Sequence, residues 1–223
     1  MNQEQALSLL KETKLVAILR GIPVKQATDI ATALYDGGVR VLEFTFDHDD
    51  PDCVAHNCQR IRAVKKIFGD EMVVGCGTAL TVQEVEASVE AGGQIVISPN
   101  VDVSVIAKTK ALGAISMPGA LTPTEIVMAY NAGADIVKLF PAGTLGVPYI
   151  KAVRGPLGYI PMSAVGGVRP ETIADFLNVG VCGFGVGVEL VKKEFVRSGD
   201  MNALTSRARK FVHAIEQWEA NRS

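Results

Sequence analysis

Short apolar runs alternate along the chain with helix-like stretches, and a glycine separates the two at five junctions. These junctions are centred on Gly37, Gly92, Gly113, Gly133 and Gly180. A glycine can end a helix in the left-handed conformation that other residues adopt only at a cost. The apolar run that follows each glycine is typical of a strand that is buried on both faces. The pattern therefore predicts repeated units in which a helix is followed by a buried strand.

Eight strands and their helices are predicted in this way. Three strands, at Leu15–Leu19, Met72–Gly75 and Tyr159–Ala164, add to the five runs that follow the glycines. The clearest helix-like stretches are Gln26–Tyr35, Val82–Glu90, Val103–Lys110, Pro123–Tyr130 and Pro170–Leu177. Alternating strands and helices imply parallel strands joined by right-handed crossovers. Eight such units in 223 residues favour a (β/α)8 barrel, with a doubly wound open sheet as the alternative.

The helix boundaries and the ends of the chain complete this picture. Thr81, Asp102 and Thr122 stand where helix caps are expected, and Pro170 suits a first helical turn. No low-complexity linker divides the sequence, so we expect residues 1–223 to form a single domain. A leading helix over Asn2–Lys11 and a trailing helix over Asn202–Trp218 are predicted to flank the barrel.

Composition and charge exclude several classes of protein. Hydrophobic residues make up 48% of the chain and charged residues 21%, which suits a sizeable core rather than a disordered chain. The net charge of −2, with acids and bases interleaved, gives no reason to expect nucleic acid or a membrane as a partner. The N-terminal residues lack the pattern of a signal peptide, and no apolar run is long enough to span a bilayer. The cysteines show no C-x-x-C spacing, so we expect reduced thiols and a cytoplasmic protein.

Lys138 is a charged residue inside an otherwise apolar strand. Alternation along residues 134–141 places Ile136, Lys138 and Phe140 on one face of that strand. Burial would lower the pKa of the amine and make it available as a nucleophile toward a carbonyl group. The alternative is a structural lysine that is held in an internal ion pair.

Glu43 occupies a comparable position in the second strand. Val41, Glu43 and Thr45 share one face, which would point into the barrel, while Leu42 and Phe44 would pack under the helices. Glu43 either neutralises Lys138 or acts as a general acid and base whose pKa is tuned by burial. The two interpretations are compatible, since a resting ion pair can become a proton relay.

Two glycine turns follow the last two strands. Gly166 and Gly167 precede a helix start, and Gly185 and Gly187 follow the eighth strand. Phosphate groups often bind at these positions of a barrel, on backbone N–H groups. The alternative is that the tight turns themselves need glycine. Neither turn fits a P-loop or a dinucleotide-binding motif, so we expect no cofactor.

The segment Asp47–Asp50 contains carboxylates and one histidine, which are possible metal ligands. Adjacent positions in one loop rarely converge on a single ion. The other two histidines, His56 and His213, lie in helical stretches without ligand spacing. We therefore expect no metal site.

Several motifs together resemble the pyruvate-forming Schiff-base aldolases that cleave 2-keto-3-deoxy-6-phosphogluconate (KDPG) and 4-hydroxy-2-oxoglutarate (KHG). The resemblance runs from Leu15 to about Leu190, and its strongest element is the Lys-x-Phe-Pro-Ala block at 138–142 together with Glu43. The other motifs lie at residues 16–21, 42–45, 75–78, 97–99, 117–119 and 164–168. The start Ile-Leu-Arg-Gly at 18–21 is similar to that of the 2-dehydro-3-deoxy-6-phosphogalactonate branch.

This resemblance implies a role for individual residues. Lys138 would form the Schiff base and Glu43 would transfer protons. Arg20 and Thr78 would help to hold the substrate, and Pro99, Pro118 and Phe140 would line the pocket. The phosphate turns would be formed by Gly166, Gly167, Gly187 and Val188. The resemblance also implies a homotrimer that needs no metal.

Three positions depart from the KDPG-cleaving pattern. Asp47 stands where that pattern has an arginine, Val165 where it often has a hydroxyl residue, and Val188 where it has a serine. Arg20 could replace the cation that is missing at Asp47. The departures leave open an unphosphorylated or differently configured keto acid.

The function expected from the resemblance is a class I aldolase that cleaves a 2-keto-4-hydroxy acid to pyruvate and an aldehyde. The candidate substrates are KDPG, its galactonate epimer and KHG. One alternative is a sugar-phosphate isomerase or synthase that uses the glycine turns without a covalent lysine. The other is a non-catalytic binding protein in which Lys138 and Glu43 are a structural pair.

Overall fold

The computed structural model describes residues 1–222 and shows a parallel β-barrel surrounded by helices. The strands are β1 (Leu15–Leu19), β2 (Val41–Thr45), β3 (Val73–Gly77), β4 (Ile95–Ile97), β5 (Ile115–Met117), β6 (Gly119–Ala120), β7 (Val137–Leu139), β8 (Met162–Val165) and β9 (Gly183–Val186). Every strand pairing is parallel, and the order around the sheet is β5-β4-β3-β2-β1-β9-β8-β7-β6. The predicted barrel fold is confirmed.

Residues 1–222 contain nine strands where the sequence predicts eight, because the fifth is divided in two. Pro118 separates β5, which pairs with β4, from β6, which pairs with β7. Proline has no N–H for the strand ladder, so the regular pairing is interrupted there. The carbonyl of Pro118 still accepts a hydrogen bond from the N–H of Lys138, at 2.9 Å. Residues 115–120 thus act as one interrupted strand, which closes the barrel between β4 and β7.

The helices alternate with the strands. They are α1 (Gln3–Thr13), α2 (Ala27–Asp36), α3 (Cys53–Phe68), α4 (Val82–Glu90), α5 (Val103–Ala111), α6 (Pro123–Asn131), α7 (Ala142–Leu157), α8 (Ile173–Asn178), α9 (Lys193–Ser198) and α10 (Met201–Ala220). Short 3-10 helices precede α2, at Val24–Gln26, and α8, at Pro170–Thr172. No helix within residues 1–222 is long and apolar enough to cross a membrane.

Capping explains where several helices begin. The hydroxyl of Thr81 accepts a hydrogen bond from the N–H of Glu84, whose carboxylate in turn accepts one from the N–H of Thr81. Thr122 and Glu125 form the same capping box at α6. Such caps satisfy N–H groups that have no partner within the helix. They fix the loops that follow β3 and β6, at the end of the barrel where the strands terminate.

The core has two parts, which follow from the alternation of side chains along each strand. Val16, Val41, Val73 and Ile136 fill the inside of the barrel, and Leu10 of α1 packs against this cluster. The other face of the strands packs under the helices and includes Leu42, Phe44, Val137 and Leu139. This division directs the side chains of Glu43 and Lys138 inward, as the alternation predicts.

Candidate active site

A pocket of about 220 Å³ lies where the barrel strands end. It brings together ten of the eleven candidate residues predicted from the sequence, and they come from seven different strands or the loops that follow them. They are Arg20, Glu43, Thr78, Pro99, Lys138, Phe140, Gly166, Gly167, Gly187 and Val188. A barrel positions its reactive groups at this end because every strand terminates there.

Pro118 is the exception. It is buried at the break between β5 and β6 and does not line the pocket. It contacts the active-site strand through its carbonyl, which accepts the N–H of Lys138. Pro118 thus shapes the strand position next to Lys138, and its contact with the substrate stays a prediction.

Lys138 projects from the middle of β7 into this pocket and is 7% exposed. Burial lowers the pKa of its amine, the nearby charge of Glu43 raises it, and the charge of Arg20 lowers it further. The amine lies 5.1 Å from the centre of the Phe140 ring, within the range of a cation–π contact. A desolvated lysine of this kind can supply a free amine near neutral pH.

Glu43 projects from the centre of β2 and is almost fully buried. Burial raises the pKa of its carboxyl from 4.5 to about 7, although the charges of Lys138 and Arg20 act in the opposite direction. Within the described residues, its buried Oε2 has no hydrogen-bond partner. A carboxyl group with a pKa near neutrality can both accept and donate a proton under physiological conditions.

The resting ion pair between Lys138 and Glu43 is not formed. Among residues 1–222, no salt bridge or hydrogen bond joins the two side chains, although each shifts the pKa of the other. The two side chains therefore do not form the structural ion pair of the alternative interpretation.

Gly77 makes the space that the Glu43 carboxyl occupies. A Cβ atom on Gly77 would lie 2.2 Å from Oε2 and 2.4 Å from Cδ of Glu43, closer than real Cβ contacts. Only glycine fits at this end of β3 without moving that carboxyl. Gly77 belongs to the motif at 75–78, but its role could not be predicted from the sequence, because a close approach of this kind is visible only in three dimensions.

We expect Gly77→Ala to fold and to lose most of its activity, because the added methyl group moves the Glu43 carboxyl. A displacement of about 1 Å in an active site can cost about 100-fold in rate. The measurement is kcat together with the melting temperature. Gly155→Ala is the matched control, since a Cβ there meets nothing within 4 Å. A kcat within twofold of the wild type would show that Gly77 does not position Glu43.

Thr78 and the glycine turns complete the rim of the pocket. Thr78 has a φ of 58°, which is unfavourable for a β-branched residue and occurs here at the end of β3. Gly166 and Gly167 have φ values of 89° and 72°, so their turn requires glycine whatever it binds. Gly187 has neither a positive φ nor a crowded Cβ position, so the fold does not demand glycine there. Phosphate binding on these turns stays a prediction.

Glu189 also lines the pocket, and the sequence analysis did not select it. Its carboxylate lies 3.5 Å from the guanidinium of Arg207 on α10. The sequence feature that could have pointed to Glu189 is its position two residues after Gly187, in the loop after the last strand. Its negative charge at the rim opposes any anion that binds on the neighbouring turn.

The segment Asp47–Asp50 does not gather into a metal site. Within residues 1–222, no group of three or more His, Cys, Asp or Glu side chains is arranged to hold a metal ion. His48 instead lies 2.7 Å from Glu84, and His56 lies 2.7 Å from Asp50. These contacts attach the loop after β2 to α3 and α4.

A parallel barrel with a buried amine and a buried carboxyl at its mouth is typical of enzymes that act on carbonyl compounds. The family model for KDPG and KHG aldolase matches residues 7–207, and the chain belongs to this family. The protein is accordingly an aldolase, which is a carbon–carbon lyase.

Individual relatives agree with this assignment. The chain is 37% identical to a Rhizobium meliloti protein named a probable 2-dehydro-3-deoxy-6-phosphogalactonate aldolase, over 81% of this chain and 83% of that one. It is 35% identical to the 2-dehydro-3-deoxy-6-phosphogalactonate aldolase of Escherichia coli, over 80% and 84% of the two chains. A solved structure described as native KDPGal superposes with a TM-score of 0.83 at 32% identity, over 92% and 96%.

Proposed function

We propose that the protein cleaves a 2-keto-3-deoxy-6-phospho sugar acid to pyruvate and an aldehyde through a Schiff base on Lys138. The observation that carries this proposal is the presence of a desolvated amine and a carboxyl of pKa about 7 in one small pocket, not paired with each other. An amine of lowered pKa attacks a ketone, and a carboxyl that titrates near neutrality moves the protons.

The steps follow from this arrangement. The amine of Lys138 attacks C2 of the keto acid, and loss of water from the carbinolamine gives a protonated imine. Glu43 removes the proton of the C4 hydroxyl, the C3–C4 bond breaks, and the electrons pass to the imine as the aldehyde leaves. Glu43 returns a proton to C3 of the enamine, and hydrolysis of the imine frees pyruvate and Lys138. Thr78 and Arg20 hold the carboxylate of the substrate.

The galactonate-type epimer is the substrate that we propose as favoured. The relatives named above carry that name. Val165 lines the pocket where the KDPG-cleaving pattern often has a hydroxyl, so the side chain at this position offers no hydrogen bond to the substrate. Arg20 lines the same pocket and supplies a cation where the usual arginine is replaced by Asp47.

Release of pyruvate from KDPG, from its galactonate epimer and from KHG tests this proposal. We expect the galactonate epimer to have the highest kcat/KM, by about tenfold, which corresponds to the free energy of roughly one hydrogen bond. Val165→Thr should reduce this preference, because it restores a hydroxyl. Equal kcat/KM values for the two epimers would contradict the assignment of the substrate and leave the aldolase class unchanged.

We also propose a cytoplasmic homotrimer. Exposed apolar side chains at Leu80, Val103 and Leu121 follow the neighbouring strand ends of β3, β4 and β6, and such a group of side chains suits contact between copies. Light scattering should give three times the chain mass of 23.7 kDa, and Val103→Asp with Leu121→Asp should give monomers. A wild-type protein that is monomeric at micromolar concentration would contradict the trimer.

A further inference from the structure

A second and larger cavity, of about 660 Å³, opens beside the catalytic pocket. It lies between the segment after β1, the loop after β2 and helix α9. Four cationic side chains line it, and Asp47 is the single carboxylate among its lining residues. The cations are Arg20, Lys25, Lys193 and Arg197.

These cations come from two parts of the chain, the segment after β1 and helix α9, and the charge of Arg20 also acts on the Glu43 carboxyl. Within the described residues, none of the four forms a salt bridge or a side-chain hydrogen bond. The adjacent Lys192, by contrast, lies 4.0 Å from Glu194. Like charges that converge on one cavity repel each other, and an anion between them removes that repulsion.

The floor of the cavity is apolar. It is formed by Ile22, Phe46, Val191 and Val196, all of which are buried. The guanidinium of Arg60 donates a hydrogen bond to the carbonyl of Ile22 at 2.7 Å, which fixes the segment after β1. A surface of this kind can cover the carbon skeleton of a small molecule while the surrounding cations bind its charged groups.

The cavity is distinct from the glycine turns. Neither Gly166, Gly167 nor Gly187 lines it, and Arg20 is the one residue that it shares with the catalytic pocket. Its volume is three times that of the catalytic pocket. A ligand could therefore occupy it while a keto acid is bound at Lys138.

We propose that this cavity is a second anion site, which binds a small phosphate-bearing organic molecule next to the catalytic pocket. Phosphate fits better than a single carboxylate, because its double charge and its several acceptor oxygens match guanidinium and ammonium donors together. Arg20 connects the two sites, so a ligand here contacts the side chain that we expect to hold the substrate.

Calorimetric titration of the full chain with pyrophosphate tests this site. We expect binding by the wild type and at least about tenfold weaker binding by Lys193→Gln/Arg197→Gln, because two charge-assisted contacts are lost. The matched control is Lys66→Gln/Lys151→Gln, which removes the same charge from exposed positions outside the cavity and should bind like the wild type.

Two further outcomes separate this site from the proposed function. The titration is repeated after pyruvate has been reduced onto the protein with borohydride, and pyrophosphate should still bind. If no adduct forms, only the Schiff-base mechanism is contradicted. The titration of the untreated protein still tests whether the second anion site binds pyrophosphate. No binding by the wild type at millimolar pyrophosphate, or equal affinity in the cavity variant, would overturn the proposal.

Discussion

Lys138→Met will abolish the cleavage of every 2-keto-4-hydroxy acid and leave the barrel folded. Methionine keeps the apolar stem of the side chain but has no amine to attack a carbonyl. Removal of a covalent nucleophile costs about 10⁶-fold in kcat in the best-studied case, so we expect activity below detection. Burial disfavours the charged amine in the folded state, so the variant should be at least as stable as the wild type near pH 7.

A second variant separates nucleophilic from electrostatic roles of Lys138. Lys138→Arg keeps a cation in the pocket but cannot form an imine, and it should be as inactive as Lys138→Met. Lys151→Met changes an exposed lysine on α7 and serves as the matched control. Initial rates of pyruvate release, with circular dichroism to verify folding, are the measurement. Activity in Lys138→Arg above about one hundredth of the wild type would show that a positive charge is sufficient.

Glu43→Gln has the second-largest expected effect, because it removes the group that moves protons. General acid–base catalysis by one side chain typically contributes 10²–10⁴-fold, so we expect kcat to fall by about 10³-fold. Imine formation with pyruvate should persist, since Lys138 remains. The measurement combines kcat with borohydride trapping, and unchanged turnover would contradict the assignment of Glu43.

The same substitution should stabilise the protein above neutral pH. Folding raises the pKa of the Glu43 carboxyl from 4.5 to about 7, so the folded protein binds this proton more tightly than the unfolded chain. The stability that this proton gives is fully present below pH 4.5 and is lost as the pH rises through 7. Glutamine avoids the loss, and the free energy of unfolding at pH 8 should exceed that of the wild type by about 3 kcal/mol.

Denaturant unfolding at several pH values measures this effect. The difference between Glu43→Gln and the wild type should be largest above pH 7 and should shrink toward pH 4.5. Glu90→Gln, at an exposed position on α4, is the matched control for the loss of one carboxylate. A difference that is constant with pH would show that the burial of Glu43 does not shift its titration.

Much of the fold follows from local signals in the sequence. Thr81 and Thr122 cap helices because their hydroxyls satisfy N–H groups of the first turn, and both are recognisable before the structure. The bounds of α7 could not be predicted from the sequence, since Gly146, Pro148 and Pro156 interrupt its helical pattern. Gly146 has a φ of 74° and a ψ of 169°, which are not helical, so α7 consists of two helical segments that meet at a kink there.

The residues of the candidate site could be predicted from the sequence better than the distances between their side chains. Strand alternation places Lys138 and Glu43 inside the barrel, and topology then brings their strand ends to one mouth. Alternation does not determine the distance between two side chains, so the separation of amine from carboxyl was not foreseen. The position of Pro118 behind the pocket and the space left by Gly77 depend on close packing between strands, which no local pattern encodes.

The most direct test of the central claim is reduction of the protein with borohydride in the presence of pyruvate, followed by mass spectrometry of the intact chain and its peptides. We predict one pyruvate-derived adduct per chain, on the peptide that contains Lys138, and none in Lys138→Met. A folded wild-type protein that forms no adduct, or forms it on another lysine, would contradict the Schiff-base mechanism and favour a barrel enzyme without a covalent lysine.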